Sequence, residues 1–299
     1  MKRRVLAGRA LALLFAVLCA TPALAATKPL TLTPLLPTLS TNFSGGDEVQ
    51  YLLTSPTTMA LIGTVETTSS PLVTATPLGG SDGFITAVDI HGAHLWNLRL
   101  GTAGDDVATT GYIDPLGNYW VAGTSAIATN ATTPATGLQQ LTVWEISSTG
   151  LLENTYTKAL QDVVIPTSIS LKGSNYLIQG NSSKVGSPTF SISLTALGKF
   201  GTIKYSPISP SSAPQIFTTK SAVYNWLSYV TAKAIKGVLG FTPHQSTTVL
   251  IKSTLKGGNT TGIYSLQGVP ILMSYQVGIG VIVLTDYSGS YLLTVVHTK

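Results

Sequence analysis

The sequence repeats itself with a period of about 57 residues, and this regularity constrains the fold more than any other feature. Each copy begins with an acidic or amide residue, followed by a β-branched run, a polar turn and a second apolar run, which is the pattern of a β-hairpin. The copies begin at residues separated by 58, 56, 53 and 61 positions, namely Glu48, Asp106, Asp162, Gln215 and Gln276. A period of this length predicts an array of equivalent units.

A second kind of hairpin lies between these copies. Its strands are joined by polar residues that end in glycine, which supplies the positive φ that a tight connection needs. The four examples span residues 83–100, 141–158, 189–206 and 247–265. Each period therefore holds four strands, and radial repetition of four-stranded antiparallel sheets predicts an all-β, five-bladed β-propeller over residues 46–299. Four tryptophans fall in predicted strands and are expected to pack between blades: Trp96, Trp120, Trp144 and Trp226.

The last predicted blade has a hairpin of the first kind but none of the second kind, which leaves a strand edge unpaired. The Pro- and Thr-rich lead-in at residues 26–45 contains a strand-like stretch, residues 29–36. We expect this stretch to pair with the last hairpin and so to close the ring. A last blade of three strands is the alternative.

The stretch DGFITAVDIHGAHLWNLRLGTAGDDVATTGYIDPLGNYWVAGTS, residues 82–125, resembles the bacterial secreted β-propeller repeat (SBBP-like or NHL-like repeats). That repeat has an Asp-Ala-Phe-Val-like start, a Gly-x-Gly-Asp-Asp centre and an Asp-x-x-Gly-Asn-x-Tyr-Val-x-Gly-x-Thr end. The match is best over residues 82–183 and poor beyond Ser187. The resemblance implies a propeller in a bacterial protein, and it implies little about activity because a fold does not carry a function.

Residues 1–25 have the organisation of a signal peptide, with a basic start, a short apolar run and the small-residue cleavage site Ala23–Ala25. This predicts a secreted or cell-surface protein, with attachment to the cell envelope left open. The leader carries four of the 17 basic residues and Cys19, which leaves 13 basic against 12 acidic side chains and no thiol. Such a chain is expected to lack disulfides and to have no nucleic-acid partner. Since no later apolar run is long enough, no membrane span is expected.

The first strand of each blade is expected to be innermost, so the residue that heads it is predicted to lie at the mouth of the central channel. There the five repeated residues would form a ligand-binding ring: Glu48, Asp106, Asp162, Gln215 and Gln276. Clustered carboxylates and amides can bind a cation or a polar ligand. The competing interpretation is structural, because aspartates in turns commonly accept hydrogen bonds from nearby backbone N–H groups.

An enzymatic alternative uses the same ring. Glycoside hydrolysis needs two carboxyl groups at a defined separation, and Glu48, Asp106 and Asp162 are the catalytic candidates for such a hydrolase. The sequence does not resemble those enzymes and contains no Gly-x-Ser-x-Gly motif. His91 and His94 with Asp89 form a weak metal pattern, and we predict neither a metal nor a cofactor. The sequence therefore favours a non-catalytic module that binds protein or glycan at the channel-mouth face.

Overall fold

The computed structural model of the chain describes residues 29–42, 48–66, 73–127, 140–207, 217–242, 245–288 and 290–297. Every regular element within these ranges is a β-strand. No helix in the described part of the chain has the length and hydropathy needed to cross a membrane. The predicted signal peptide and Gln215 lie outside the described residues.

Three short strands precede the main sheets: β1 (Leu30–Thr31), β2 (Thr33–Pro34) and β3 (Leu39–Asn42). Sheet 1 then consists of β4 (Glu48–Thr54), β5 (Thr58–Val65), β6 (Asp82–Asp89) and β7 (His94–Leu100). Sheet 2 consists of β8 (Asp106–Ile113), β9 (Tyr119–Ser125), β10 (Gln140–Ile146) and β11 (Leu152–Ala159). Sheet 3 consists of β12 (Val164–Lys172), β13 (Asn175–Ser182), β14 (Thr189–Thr195) and β15 (Lys204–Ser206).

The last two sheets use the N-terminal strands as well. Sheet 4 contains β16 (Phe217–Lys220), β17 (Tyr224–Thr231), β19 (Thr247–Thr254) and β20 (Thr260–Leu266), with β2 parallel to β20 at its edge. In the connection that leads to β19, β18 (Val238–Leu239) pairs in parallel with β1. Sheet 5 contains β21 (Val269–Gln276), β22 (Gly280–Tyr287) and β23 (Ser290–His297), with β3 as its fourth strand.

The strands of each sheet radiate outward from its first strand. The first strand of sheet 2, β8, packs on β4 and on β12, and β21 packs on β4 and on β16. The first strands are therefore innermost, as predicted, and the sheets follow one another in the order 4, 5, 1, 2, 3. This arrangement of four-stranded antiparallel sheets is that of a β-propeller.

The predicted closure by an N-terminal strand is confirmed, but the segment differs. Residues 39–42 pair antiparallel with β23, with Leu39 opposite Leu293, and give sheet 5 four strands. Within the expected stretch 29–36, Thr33 and Pro34 instead extend sheet 4. Residues 29–36 alternate apolar and polar side chains, whereas residues 39–42 are one leucine followed by three polar residues. The alternation pattern therefore favoured the segment that extends sheet 4.

The predicted hairpins are confirmed in sheets 1 to 4, but the fifth is displaced. The sequence assigned residues 275–296 to the innermost hairpin of sheet 5, whereas that hairpin is β21–β22 with its turn at 277–279. Gln276 therefore ends the first strand instead of heading it. The error arose because β22–β23 has a turn-like Tyr-Ser-Gly-Ser sequence that imitates the first hairpin of the other copies.

The innermost hairpins share a β-bulge near the start of the first strand. The extra residue is Gln50 in sheet 1, Thr109 in sheet 2, Thr167 in sheet 3 and Ile271 in sheet 5. The bulge fixes an equivalent position in each of these sheets, and so it provides a structural register for the repeat.

Four apolar clusters hold neighbouring sheets together. Sheets 4 and 5 share the cluster around Trp226 and Val283, and sheets 5 and 1 share the one around Ile282 and Phe84. Sheets 1 and 2 meet around Ile85 and Trp144. Sheets 2 and 3 meet around Trp120, whose ring stacks on Tyr176 at a centroid distance of 4.0 Å. The expected packing of tryptophans between sheets is therefore confirmed.

Candidate functional site

The repeated acidic and amide residues do not occupy equivalent positions. Relative to the extra residue of the bulge, Glu48 lies two residues earlier, Asp106 three earlier and Asp162 five earlier. Gln276 lies five residues after it, at the opposite end of its strand. The alignment that made these residues one ring is therefore corrected by the bulge register. Gln215 is outside the described residues.

Asp106 is fully buried at the head of β8. Its Oδ2 accepts hydrogen bonds from the backbone N–H of Thr102 at 2.6 Å and from the Thr102 hydroxyl at 3.1 Å. Its own N–H donates to the carbonyl of Ser81 at 2.7 Å, which ties sheet 2 to the connection in sheet 1. This is the geometry of a turn-closing aspartate. In this conformation the carboxylate cannot touch a substrate.

Burial raises the pKa of the Asp106 carboxyl above its usual range, although hydrogen bonds from Thr102 and the nearby Ser125 hydroxyl act in the opposite direction. By geometry, Asp106 Oδ1 and Ser125 Oγ each lack a hydrogen-bond partner within the described part of the chain. The Ser125 hydroxyl therefore offsets little of the cost of burying the Asp106 carboxylate. The Asp106 carboxyl is therefore harder to ionise in the folded protein than in the unfolded chain.

The Asp106→Asn variant is expected to change the pH dependence of unfolding. Because the folded state holds the Asp106 proton more tightly than the unfolded chain, the wild-type protein loses stability as pH rises from the usual aspartate range through the raised pKa. Asparagine does not titrate, so the variant should gain stability relative to wild type over that interval. Urea unfolding across the acid to neutral range measures this difference, with the exposed Asp105→Asn as control. A pH-independent difference would contradict the assignment.

The other candidates have different surroundings. Glu48 is exposed, and its Oε2 accepts a hydrogen bond from Gln50 Nε2 at 3.2 Å. Asp162 is half-buried and accepts a hydrogen bond from the Tyr205 hydroxyl of the same sheet. Gln276 Oε1 accepts a hydrogen bond from the Thr54 hydroxyl across sheets 5 and 1, at 3.4 Å. Each side chain therefore has its own local partner.

No three His, Cys, Asp or Glu side chains lie together as a metal site requires within the described residues. The turn that contains His91 and His94 is organised by Asp89, whose Oδ1 accepts the N–H groups of His91 and Ala93 at 2.8 Å. His94 Nε2 lies 3.0 Å from the amide nitrogen of Asn97. These contacts account for the turn without a cation.

The sequence did not reveal the role of a buried ion pair in sheet 1. Arg99 NH1 lies 2.8 Å from Asp82 Oδ2, and both side chains are almost completely buried. The guanidinium also donates to the carbonyls of Ala75 at 2.9 Å and Glu66 at 3.0 Å. The pair thereby fastens the connection between β5 and β6 to its sheet, which is a structural role.

One sheet face is left open to solvent. Strands β13 and β14 alternate between buried and more exposed residues, whereas the middle strands of sheets 1 and 2 are buried on both faces. The buried side chains of sheet 3, such as Ile178 and Ile192, pack on sheet 2. The opposite face presents Ile165, Thr167, Ser168, Ser170, Leu177, Gln179, Asn181, Ser191 and Ser193.

The face of sheet 4 that points away from sheet 5 is only partly exposed, because Val249 and Ile263 on it are 0% and 2% exposed. Because Trp226 of β17 packs toward sheet 5, the alternating residues Leu227 and Tyr229 point away from sheet 5. Among the described residues, no apolar cluster joins sheets 3 and 4, and no strand pair of the two sheets packs as the other neighbours do. We call these two outward faces the open seam.

Turn glycines give independent evidence for the open seam. A Cβ on Gly150 of sheet 2 would lie 2.4 Å from the Trp96 ring of sheet 1, and one on Gly198 of sheet 3 would lie 2.1 Å from the Tyr156 ring of sheet 2. The corresponding glycine of sheet 4, Gly258, has no atom within 4 Å of that position. The turn of sheet 4 therefore does not rest on the sheet before it.

These glycines provide a matched test of the open seam. Both Gly150 and Gly258 have positive φ, so alanine at either position carries a backbone cost of about 1 kcal/mol. Gly150→Ala also collides with Trp96 and is expected to lose about 2–3 kcal/mol in total. Gly258→Ala is expected to lose only the backbone term. Denaturant unfolding of both variants measures the difference, and equal losses would indicate that sheet 4 packs on sheet 3.

No protein-family model and no curated protein matches this sequence. Among solved structures, the crystal structure of the Vanderwaltozyma polyspora Nup133 β-propeller domain is similar, at 10% sequence identity and a TM-score of 0.24. The similarity covers 79% of this chain and 71% of that chain. The assignment of the present chain to the β-propellers rests on the sheets described above and not on this likeness.

Proposed function

We propose that the protein is a secreted, non-catalytic binding module that holds an uncharged glycan in the open seam. The observation that carries this proposal is the exposure of the Ser-, Thr-, Asn- and Gln-bearing face of β12–β14, in contrast to the middle strands of sheets 1 and 2, which are buried on both faces. Secretion is proposed on the signal-peptide pattern of residues 1–25. Membership of the bacterial secreted β-propeller repeat family is proposed on the resemblance of residues 82–183.

The chemistry of the open seam favours a neutral polyhydroxyl ligand. Hydroxyl groups both donate and accept hydrogen bonds, and the amides of Gln179 and Asn181 offer both functions side by side. These side chains are uncharged, so the seam does not select for an ionic ligand. The Tyr229 ring on the sheet 4 side offers an apolar surface with a polar tip, on which a sugar ring can stack.

A protein ligand is less well supported by the same face. Protein interfaces are enriched in aromatic residues, Met and Arg and depleted in Ser. The sheet 3 side of the open seam has four serines but only two aliphatic residues, Ile165 and Leu177, and its described residues include no aromatic side chain. A catalytic role through the carboxylates is not favoured, because Asp106 is buried and Asp162 is bonded within its sheet.

The test is direct binding of neutral polysaccharides to the mature protein, by affinity electrophoresis and calorimetry. Gln179→Ala/Asn181→Ala is expected to weaken binding about thirtyfold, since two lost hydrogen bonds contribute about 1 kcal/mol each. Thr155→Ala, at an exposed hydroxyl on the edge strand of sheet 2, is the control and should bind normally. Undiminished binding by the double variant would contradict the site. Release of reducing sugars would support the hydrolase alternative instead.

A further inference from the structure

Lysines and carboxylates occupy different parts of the sequence. Residues 160–268, which form sheets 3 and 4 apart from β2, contain nine lysines and one acidic residue, Asp162, and so carry a net charge of +8. The rest of the chain after the predicted signal peptide, residues 26–159 and 269–299, contains four basic and eleven acidic residues, a net charge of −7. The two parts nearly cancel, so the mature protein is almost neutral but strongly divided in charge.

The fold places these two parts on opposite sides of the molecule. Because the sheets follow one another in the order 4, 5, 1, 2, 3, sheets 3 and 4 flank the open seam and sheet 1 lies opposite it. Residues 46–105, which include sheet 1, contain no lysine, and their one basic residue, Arg99, is buried against Asp82 at 2.8 Å. We call sheets 3 and 4 the basic side and sheets 5, 1 and 2 the acidic side.

The charges of both sides reach solvent. In the described part of the chain, none of the nine lysines forms an ion pair with a carboxylate. Lys252 is half-buried, with its ammonium 3.8 Å from the centre of the Tyr224 ring. The other eight lysines are exposed: Lys172, Lys184, Lys199, Lys204, Lys220, Lys233, Lys236 and Lys256. Five carboxylates of the acidic side are exposed: Glu48, Glu66, Asp105, Glu153 and Asp286.

We propose that the protein associates with itself head to tail, with the basic side of one molecule against the acidic side of the next. A net charge close to zero leaves little overall repulsion between copies, so the attraction between oppositely charged sides governs their encounter. Such complementary potentials also fix the orientation of the contact. The contact joins two different surfaces and is therefore heterologous, which allows it to continue into open chains. This association does not depend on the proposed glycan site.

The charge pattern favours a second copy over an extended polyanion as the partner of the basic side. A polyanion is attracted by the basic side but repelled by the acidic side of the same molecule. A second copy presents an acidic surface to the basic side and a basic surface to the acidic side, and so it satisfies both.

Sedimentation velocity of the mature protein tests the proposal. Association is expected at an ionic strength of about 0.01 M, where the Debye length is about 30 Å, and its loss at about 1 M, where that length is about 3 Å. One variant neutralises three lysines of the basic side: Lys184→Gln/Lys233→Gln/Lys236→Gln. A second neutralises three carboxylates of the acidic side: Glu48→Gln/Glu66→Gln/Asp105→Asn. Each should lower the association constant about tenfold, because exposed charge pairs contribute modestly.

Mixing the two variants distinguishes a head-to-tail contact from other kinds of association. The lysine variant retains its acidic side and the carboxylate variant retains its basic side. An equimolar mixture should therefore form complexes of one copy of each, with an association constant close to that of the wild-type contact. A mixture that associates no better than the separate variants would overturn the proposal.

Two single variants serve as controls because they sharpen the division of charge. Lys158→Gln removes a lysine from the acidic side, and Asp162→Asn removes the one carboxylate from the basic side, so neither should weaken association. Circular dichroism confirms that each variant is folded. A wild-type protein that stays monomeric at low salt would overturn the proposal. If that monomer binds dextran sulfate, the basic side belongs to a polyanion instead.

Discussion

Replacing Arg99 with methionine is expected to destabilise the protein by about 3–5 kcal/mol, because the change leaves the Asp82 carboxylate buried without its cation. The guanidinium is 2.8 Å from Asp82 Oδ2, and the two side chains are 1% and 0% exposed. The variant also removes the donors to the Ala75 and Glu66 carbonyls, so the connection between β5 and β6 loses its attachment. Denaturant unfolding monitored by tryptophan fluorescence measures the loss.

The double variant Arg99→Met/Asp82→Asn separates the two causes. Removing the carboxylate as well should restore a large part of the stability, since most of the cost comes from the unpaired charge. Lys199→Met removes an exposed cation and should change stability by less than about 0.5 kcal/mol. If Arg99→Met lowers the free energy of unfolding by less than about 1 kcal/mol, the Arg99–Asp82 ion pair is hydrated and does not hold the connection between β5 and β6 to its sheet.

Replacing Gly123 with alanine is expected to cost about 3–4 kcal/mol, at or above the upper end of the range for overpacked interiors. A Cβ at this position would lie 1.9 Å from the carbonyl oxygen of Val107 on the paired strand. Both groups belong to the backbone, so no side-chain rotation relieves the overlap. The bulge at Thr109 places this carbonyl against Gly123, and the hairpin can accept alanine only by giving up its bulge.

Gly262→Ala is the matched control for Gly123→Ala. It also changes a strand glycine, but its nearest neighbour is the flexible Tyr264 side chain, with the hydroxyl at 3.1 Å. Its effect should stay within about 0.5 kcal/mol. Two equivalent positions, Gly63 and Gly180, should behave like Gly123, because their Cβ atoms would meet the carbonyls of Glu48 and Ile165 at 1.9 and 2.1 Å. A loss at Gly123 no larger than at Gly262 would mean that the bulge is dispensable.

The local chemistry of turns made most of the fold predictable. Gly92, Gly150 and Gly198 close the outer hairpins with positive φ, as the sequence pattern indicated. The sequence predicted that an N-terminal strand closes the ring, but it did not predict which residues form that strand. Residues 29–36 have the clearer alternation, but residues 39–42 are the ones that pair with β23, which is distant in sequence. Pairing between remote strands is not encoded in local pattern, and this limited the prediction.

The candidate site was harder to predict, for two reasons. The bulge inserts one residue into the first strand without changing the apolar pattern. The sequence alignment of the repeats therefore matched Glu48, Asp106 and Asp162 with one another, although they lie at different distances from the bulge. Alignment on the glycine of Ile-Gly-Thr, Ala-Gly-Thr and Gln-Gly-Asn at 62–64, 122–124 and 179–181 would have recovered it. The open seam was missed because alternation in β13 and β14 indicates a half-exposed strand without saying what lies opposite.

The pairing of β3 with β23 also has a consequence for the order of assembly. Sheets 1 to 3 are made of strands that follow one another directly, so they can form while the rest of the chain is still being synthesised. Sheet 5 must wait for its final strand, and until then residues 39–42 have no partner in that sheet. A nascent chain therefore carries an unmatched strand near its start for most of its synthesis, and this is where a holding chaperone has the longest opportunity to bind.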